Sequence, residues 1–232
     1  MLGIKKAGST IAGSVKAGST KAVLFALMLV LAACSAQDDQ AAGGDQFTNG
    51  VDYQTLARPV ATDDPGKIEL AEVFWYGCIH CYRFEPLLEE FAAELPEDVN
   101  VVRVPVVWNA TAELHAKIFY ASEALGINED IHMDVFRALN DQRKILASES
   151  AVLNFIEDLG HNRIAFQRAF NSFGVNSQVA LAKSKATAYG VRGTPELVVN
   201  GKYRISSAQT GTADQMLVVA AELIERERAA QQ

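Results

Sequence analysis

The hydrophobic pattern changes period along the chain, and each period predicts a different kind of element. Bulky apolar residues dominate Ile68–Tyr76 and Val99–Val107, which predicts two buried strands. Between them, Cys78–Leu95 carries apolar residues at helical spacing on one face and predicts a helix. A strand, a helix and a second strand in this order favour a βαβ unit within a partly parallel sheet.

Two neighbouring stretches extend this unit. Tyr53–Val60 predicts a short strand before it, and Pro59 assigns that strand to a sheet edge, because proline cannot donate a hydrogen bond to a neighbour. On the other side, Trp108–Gly190 has apolar positions three and four residues apart and predicts a long series of helices.

The C-terminal part returns to strands. Glu196–Asn200 and Tyr203–Ser206 flank an Asn-Gly dipeptide, which predicts a hairpin, and a last helix is predicted from Thr212. We therefore expect an α/β fold interrupted by an all-helical insert. The expected division is a first α/β part at residues 50–107, the helical insert at 108–190 and a second α/β part at 191–232.

The N-terminal region has the features of an export signal. It contains four lysines and no acid before Ala22–Ala33, an apolar run of twelve residues. That run is too short to span a bilayer, which takes about 20 residues, but it fits the core of a signal peptide. Residues 1–33 are therefore predicted to be a signal peptide, and residues 34–49 to form a flexible tether of small and polar residues.

The end of the apolar run predicts lipidation. Leu31-Ala32-Ala33-Cys34 resembles the lipobox of bacterial lipoproteins, in which the cysteine is lipidated and becomes the new N-terminus. Lipidation of Cys34 also leaves the other two cysteines of the chain as a pair. The alternative is ordinary cleavage nearby, which leaves a free thiol. By the sorting pattern of lipoproteins, Ser35 favours the outer over the inner membrane.

Composition and charge exclude several classes of protein. The chain has 232 residues, 49% of them hydrophobic, so it can build a core and is not disordered throughout. Three cysteines are too few for a disulfide-rich scaffold. Without residues 1–33 the chain keeps 17 basic and 28 acidic residues, a balance unsuited to non-specific binding of nucleic acid. A monomer is the default expectation, because only a short tether precedes the fold.

The strongest chemical signal is Cys78-Ile79-His80-Cys81, which follows a predicted buried strand and begins a predicted helix. Unpaired N–H groups at a helix N-terminus favour an anion, so this position lowers the pKa of Cys78 and favours a thiolate. His80 adds a hydrogen-bond donor or a positive charge, or it is only a surface residue. Cys81 is near enough to form a disulfide. Zinc is the alternative, but it needs more ligands, and the other histidines are isolated in the helical stretch: His115, His132 and His161.

A family resemblance supports the redox interpretation. Residues 72–86, EVFWYGCIHCYRFEP, resemble the active-site segment of the DsbA family of bacterial periplasmic thiol-disulfide oxidoreductases. Gly193-Thr194-Pro195 is similar to that family's cis-proline loop. The resemblance extends in layout over residues 50–232 and implies a thioredoxin-like fold with a helical insert. One departure is Ile79, where the family's oxidant usually has proline, and this difference bears on the redox potential.

The resemblance also implies a role for each residue of the site. Cys78 would be the nucleophile that forms mixed disulfides, and Cys81 would resolve them. Pro195 would lie in cis opposite the pair, and Thr194 would offer its backbone to a substrate strand; from the residues alone, a trans proline that starts the strand stays open. The family implies no cofactor beyond the cysteine pair, exported proteins with free thiols as clients, and reoxidation by a quinone-linked membrane partner of the DsbB type.

Glu72 is a further candidate for the chemistry. It falls on the apolar face of its predicted strand, six residues before Cys78. Burial raises the pKa of a carboxyl group, and such a group could take the proton of Cys81 through water, at a position where the family also has an acid. The alternative is an exposed glutamate on an edge strand. Arg103 is the only cation in residues 99–109 that could pair with Glu72.

The thiolate sets the expected direction of the reaction. A stabilised Cys78 thiolate stabilises the reduced protein, so its disulfide is a strong oxidant that is donated to exported proteins. The main alternative is a disulfide reductase or isomerase that uses the same dithiol. Another alternative is a thioredoxin-like lipoprotein that holds peptides without turnover, and the intact cysteine pair argues against it.

Overall fold

Five strands and eight helices form the part of the chain that the computed structural model describes, residues 46–231. The strands are β1 (Gln54–Thr55), β2 (Ile68–Phe74), β3 (Val99–Pro105), β4 (Glu196–Val199) and β5 (Tyr203–Ser206). The helices are α1 (Ile79–Glu94), α2 (Ala110–Leu125), α3 (Asn128–Asn140), α4 (Glu149–Asp158), α5 (Arg163–Phe170), α6 (Phe173–Ala188), α7 (Ser207–Thr210) and α8 (Ala213–Ala230). The strands form one mixed sheet in the order β1-β5-β4-β2-β3.

The predicted βαβ unit is present and consists of β2, α1 and β3. The two strands pair in parallel along their whole length, whereas β2 pairs with β4 in antiparallel fashion. β2 is therefore central, and all seven of its residues are buried. Both strands end two residues before the predicted boundary. After Phe74 the chain turns toward α1, and beyond Pro105 the N–H of Val106 still donates to the carbonyl oxygen of Phe74 at 2.9 Å.

The edge strand is shorter than predicted. β1 covers two residues of the predicted Tyr53–Val60, and it lies at the edge of the sheet as expected. The rest of this segment runs alongside the hairpin turn, where the N–H of Val60 donates to the carbonyl oxygen of Gly201 at 2.8 Å. A Cβ atom at Gly201 would lie 1.9 Å from the Val60 oxygen, so only glycine permits this close approach.

The hairpin of β4 and β5 confirms the Asn-Gly prediction. The strands pair antiparallel, and the two turn residues, Asn200 and Gly201, have φ values of 49° and 61°. Positive φ at both positions is typical of the type I′ turn that suits the twist of a hairpin. The last helix is also confirmed: the Thr212 hydroxyl accepts a hydrogen bond from the N–H of Gln215 at 3.2 Å, which caps α8.

Helices α2 to α6 lie between β3 and β4, inside the stretch predicted to be helical. They share a core with the sheet, because Phe74 and Tyr76 pack in one cluster with Phe119 of α2 and Phe136 of α3. The limits of a separate insert at 108–190 stay a prediction. Within residues 46–231, no helix combines the length and the hydrophobicity that crossing a bilayer requires.

A buried ion pair joins the sheet to α6. Glu69 of β2 is 1% exposed, and its carboxylate lies 3.0 Å from the Lys185 ammonium. The same carboxylate accepts hydrogen bonds from the Tyr189 hydroxyl at 3.1 Å and from the N–H of Asp63 at 3.0 Å. Both of its oxygens are therefore bonded, which is the condition under which a charge can be buried at a tolerable cost in free energy.

Candidate active site

Cys78 lies at the junction between β2 and α1, where it is the N-cap residue of the helix. Its N–H donates to the carbonyl oxygen of Trp75 at 2.9 Å, which closes a tight turn between strand and helix. A Cβ atom at Gly77 would lie 2.5 Å from the Trp75 ring, so glycine is required inside this turn. The turn thus places the Cys78 sulfur at the N-terminus of α1, as the sequence predicted.

The surroundings of Cys78 stabilise its thiolate. They lower the pKa of Cys78 to about 5, chiefly through a hydrogen bond from the Cys81 thiol, while partial burial acts in the opposite direction. The Thr194 side chain and the backbone N–H groups of Cys81 and His80 contribute further hydrogen bonds to the sulfur. At neutral pH, Cys78 is therefore a thiolate.

Cys81 has the opposite character. Its side chain is fully buried, and burial raises the pKa of Cys81 far above the usual value for a thiol. Negative charge on Glu72 and on Cys78 raises the pKa further, because a second anion nearby is repelled. Both cysteines are free thiols in the structure. A half-exposed thiol of low pKa next to a buried thiol of high pKa is a dithiol suited to disulfide exchange.

The His80 side chain contributes less than its position in the motif suggests. The residue is exposed, and the group that acts on Cys78 is its backbone N–H. A catalytic role for the imidazole stays a prediction. Among residues 46–231, no three His, Cys, Asp or Glu side chains lie together in a way that could hold a metal ion.

The Gly193-Thr194-Pro195 loop lies opposite the cysteine pair. The Thr194–Pro195 peptide bond is cis, and the carbonyl oxygen of Thr194 lies 3.3 Å from the Cys78 sulfur. The structure thus brings together two segments more than 110 residues apart in sequence. A trans proline at this position is excluded.

Glu72 is buried on the central strand, which excludes an exposed position on an edge strand. Neither of its carboxyl oxygens has a hydrogen-bond partner among the described residues. The nearest cation is Arg103 of β3, whose Nε lies 3.7 Å from one oxygen. Burial raises the pKa of Glu72 well above its usual value, the nearby Glu85 charge adds to this effect, and Arg103 opposes it. Glu72 is therefore able to hold a proton near Cys81.

The polar residues beyond Arg103 were not predicted from the sequence. Arg103 also pairs with Glu85, which is buried on α1, and a Glu85 oxygen lies 3.4 Å from Nε2 of His132 on α3. The Nδ1 of His132 lies 2.7 Å from the Tyr76 hydroxyl. Glu85 lies four residues after Cys81 and so on the same helix face, and this spacing is the signal that could have identified it.

The pKa values of the two buried carboxyl groups, Glu72 and Glu85, are shifted in opposite directions. Burial would raise the pKa of Glu85, but its bonds with His132 and Arg103 outweigh burial and hold the pKa below its usual value. Glu85 is therefore ionised at neutral pH, and its charge disfavours a second charge on Glu72. The network thus keeps Glu85 ionised and favours the protonated form of Glu72.

Trp75 is held beside the dithiol by a second histidine. Its indole N–H donates to Nδ1 of His115 at 3.0 Å, and Nε2 of His115 lies 3.2 Å from the carbonyl oxygen of Leu146. Because Nδ1 accepts, the ring proton is on Nε2, which donates to that carbonyl. Burial lowers the pKa of His115 to about 4, so the ring is neutral at neutral pH.

Comparisons with known proteins agree with this geometry. Residues 103–221 match the model of the DSBA-like thioredoxin domain. The thiol:disulfide interchange protein DsbA of Pseudomonas aeruginosa is 40% identical over 190 residues, which cover 82% of this chain and 90% of that protein. The protein of the same name from Azotobacter vinelandii is 42% identical over 182 residues, which cover 78% and 85%.

Solved structures show the same architecture. The crystal structure of Pseudomonas aeruginosa DsbA matches with a TM-score of 0.78 at 40% sequence identity, and the match covers 81% of this chain and 98% of that one. DsbA from Xylella fastidiosa matches with a TM-score of 0.74 at 27% identity over 79% of this chain. The expected thioredoxin-like fold with a helical insert is thereby confirmed. The chain belongs to the family of DSBA-like thioredoxin domains.

Proposed function

We propose that this protein is a thiol-disulfide oxidoreductase that donates a disulfide from Cys78 and Cys81 to exported proteins with free thiols. The observation that carries the proposal is the contrast within the dithiol, an acidic half-exposed Cys78 next to a buried Cys81 of raised pKa. The names of the relatives, thiol:disulfide interchange proteins, support it. The cysteine pair itself carries the electrons, so the reaction needs no cofactor.

The exchange takes place in two steps. A substrate thiolate attacks the Cys78 sulfur, the Cys78–Cys81 bond breaks, and Cys81 leaves as a thiolate that is then protonated. A second substrate thiolate attacks the substrate sulfur of the mixed disulfide, and Cys78 leaves as a thiolate. The substrate dithiol loses two electrons, and the enzyme disulfide gains them. Both substrate protons pass to water, because the proton that Cys81 takes up comes from a group of the enzyme and returns to it on reoxidation.

The low pKa of Cys78 favours this direction. A leaving thiolate that is stable at neutral pH makes the mixed disulfide easy to resolve and makes the reduced enzyme the more stable product. The loop at Thr194 and Pro195 is proposed to bind an extended substrate segment beside Cys78. Reoxidation is assigned to a quinone-linked membrane protein of the DsbB type.

Glu72 is proposed to exchange a proton with Cys81, through water. A thiol of strongly raised pKa cannot remain an anion when the disulfide opens, and Glu72 is a nearby group whose raised pKa allows it to supply the proton. On reoxidation the carboxylate takes the proton back. His80 is proposed to assist from the exposed side of the motif.

We also propose that the protein is a periplasmic monomer anchored by a lipid on Cys34, with Ser35 directing it to the outer membrane. Both residues lie outside the described part of the chain, so this proposal rests on the lipobox-like sequence alone. An outer-membrane anchor would separate the enzyme from a reoxidising partner in the inner membrane, which makes the choice of membrane important for turnover.

The redox potential tests the direction of the reaction. In glutathione buffers, the mature Cys34→Ser protein is expected to become reduced at a potential more oxidising than about −200 mV, the value of an oxidising cellular compartment. Trp75 fluorescence follows the transition, since neutral His115 adds no pH-dependent quenching near neutrality. A much more reducing potential would instead indicate a disulfide reductase or isomerase. It would mean that Ile79 has shifted the equilibrium between the dithiol and the disulfide toward the disulfide.

The acidity of Cys78 can be measured directly. Thiolate absorbance near 240 nm in the reduced protein is expected to titrate around pH 5 and to be absent from Cys78→Ser. Because folding lowers the pKa of Cys78, the thiolate stabilises the reduced fold at neutral pH, and this stabilisation is lost as pH falls through about 5. The stability advantage of the reduced over the oxidised form should therefore narrow between pH 7 and pH 4. A titration near pH 8.5, like that of a free thiol, would contradict the assignment.

Replacement of Glu72 by glutamine tests the proton transfer. The Glu72→Gln variant is expected to slow the Cys81-dependent release of a single-thiol peptide from Cys78 by about 100-fold, because an amide cannot accept the proton. Glu89→Gln is the matched control, since Glu89 also faces Arg103, at 3.9 Å, but is half exposed. The control should stay within about twofold of the wild type. Equal rates for all three proteins would rule out the role of Glu72.

The membrane anchor is tested by two substitutions in the full-length chain. The wild type is expected to incorporate labelled fatty acid and to fractionate with the outer membrane, whereas Cys34→Ser should be unlabelled and soluble in the periplasm. Ser35→Asp should keep the label and move the protein to the inner membrane. A wild-type protein without the label would refute lipidation and favour ordinary cleavage.

A further inference from the structure

A buried carboxylate at the start of β4 binds the loop that faces Cys78. Glu196 is 4% exposed, and its Oε1 accepts hydrogen bonds from the N–H groups of Arg192 at 3.1 Å and Gly193 at 3.0 Å. These two N–H groups immediately precede Thr194, whose carbonyl oxygen lies 3.3 Å from the Cys78 sulfur. One side chain therefore holds the backbone just before the point at which the loop meets the reactive thiol.

A second side chain completes this attachment. The other carboxyl oxygen of Glu196 lies 3.5 Å from Nε of Arg204 on β5, and the Arg204 guanidinium also donates to the carbonyl oxygen of Gly190. The pair thus fixes residues 190–193 to the β4–β5 hairpin from two sides. It does so with charged groups that are mostly buried, at 4–5% exposure for Glu196 and 16% for the Arg204 side chain.

The backbone has little other means of holding this loop. Residues 191–195 belong to no strand, and Pro195 has no N–H to contribute to the sheet. Backbone N–H groups near the interior need an acceptor, and here the Glu196 carboxylate supplies it for two of them. Burial raises the pKa of Glu196, so keeping an ionised acceptor here is unfavourable unless these bonds are made.

We propose that Glu196 is a positioning residue for the exchange reaction, which acts by holding residues 192–194 in register with Cys78. With the loop in place, the Thr194 side chain stabilises the Cys78 thiolate, and the Thr194 backbone faces an extended polypeptide substrate. The inference rests on the proposed role of this loop in substrate binding. It adds that the loop is held in place by Glu196 and its partner Arg204.

Three substitutions of Glu196 test this role in the otherwise intact protein. In Glu196→Ala, the two N–H groups lose their acceptor, so the pKa of Cys78 should rise by about half a unit to one unit, and KM for a dithiol peptide should rise about three- to tenfold. Glu196→Gln keeps an oxygen that can accept both bonds, so both quantities should stay within about twofold of the wild type. Glu196→Ser, whose hydroxyl is too short to reach the loop, should behave like Glu196→Ala.

The control for a purely structural effect is Glu227→Ala. Glu227 is a buried acid that binds Asn200 and Lys202 at the far end of the same hairpin, so its loss should lower Tm without changing the Cys78 pKa or KM. The proposal is overturned if Glu196→Ala shows only a similar loss of Tm. It is also overturned if Glu196→Gln is as impaired as Glu196→Ala, because the hydrogen bonds to the N–H groups of Arg192 and Gly193, which glutamine can still accept, would then not be what holds the loop.

Thr194→Ala separates this inference from the function on which it rests. If Thr194→Ala changes the Cys78 pKa and KM while Glu196→Ala changes neither, the loop acts as proposed and only the role of Glu196 fails. If Thr194→Ala leaves the Cys78 pKa unchanged, the Thr194 side chain does not stabilise the thiolate, and the route by which Glu196 acts on Cys78 fails, while the redox potential tests disulfide donation independently.

Discussion

Strand β2 is buried on both faces and carries two carboxyl groups. Many of the polar contacts around it supply partners for these two groups. A buried carboxylate needs a partner from the layer that covers its face, because an uncompensated charge in the interior is costly. On one face, Lys185 of helix α6 and Tyr189, the residue that follows this helix, bind Glu69. On the other face, β3 brings Arg103 toward Glu72 but shares it with Glu85. The elements next to β2 therefore supply charged partners for its two carboxyl groups.

The two carboxyl groups of β2 differ in how their oxygens are bonded. This difference fits a structural role for Glu69 and a chemical role for Glu72. Glu69 has hydrogen bonds to both oxygens and an ion pair with Lys185, so its carboxyl group is fully partnered. Glu72 has none, so its charge is poorly compensated and its proton is easily retained. A group of this kind lowers the stability of a fold, and such groups concentrate where a reaction uses them. Its position in front of a buried thiol fits that pattern.

The parts of the molecule that the sequence predicted are those with local signals. The CxxC motif at a strand–helix junction, the Asn-Gly hairpin and the position of Glu72 follow from residues close together in the chain. The length of β1 was overestimated, because its end depends on the hairpin turn that lies beside it. The roles of His132 and Glu196 were not foreseen, since each depends on which element packs against which. Tertiary packing decides these contacts, and no single segment encodes them.

The placement of the two sulfurs also bears on oxidative damage. A half-exposed thiolate such as Cys78 is the form of cysteine that peroxides attack, and the first product is a sulfenic acid. Cys81 is hydrogen-bonded to that sulfur and shielded from the same reagents by its burial. Condensation of the sulfenic acid with Cys81 expels water and yields the Cys78–Cys81 disulfide. For this dithiol, condensation thus converts the first oxidative lesion into the same Cys78–Cys81 disulfide that takes part in exchange.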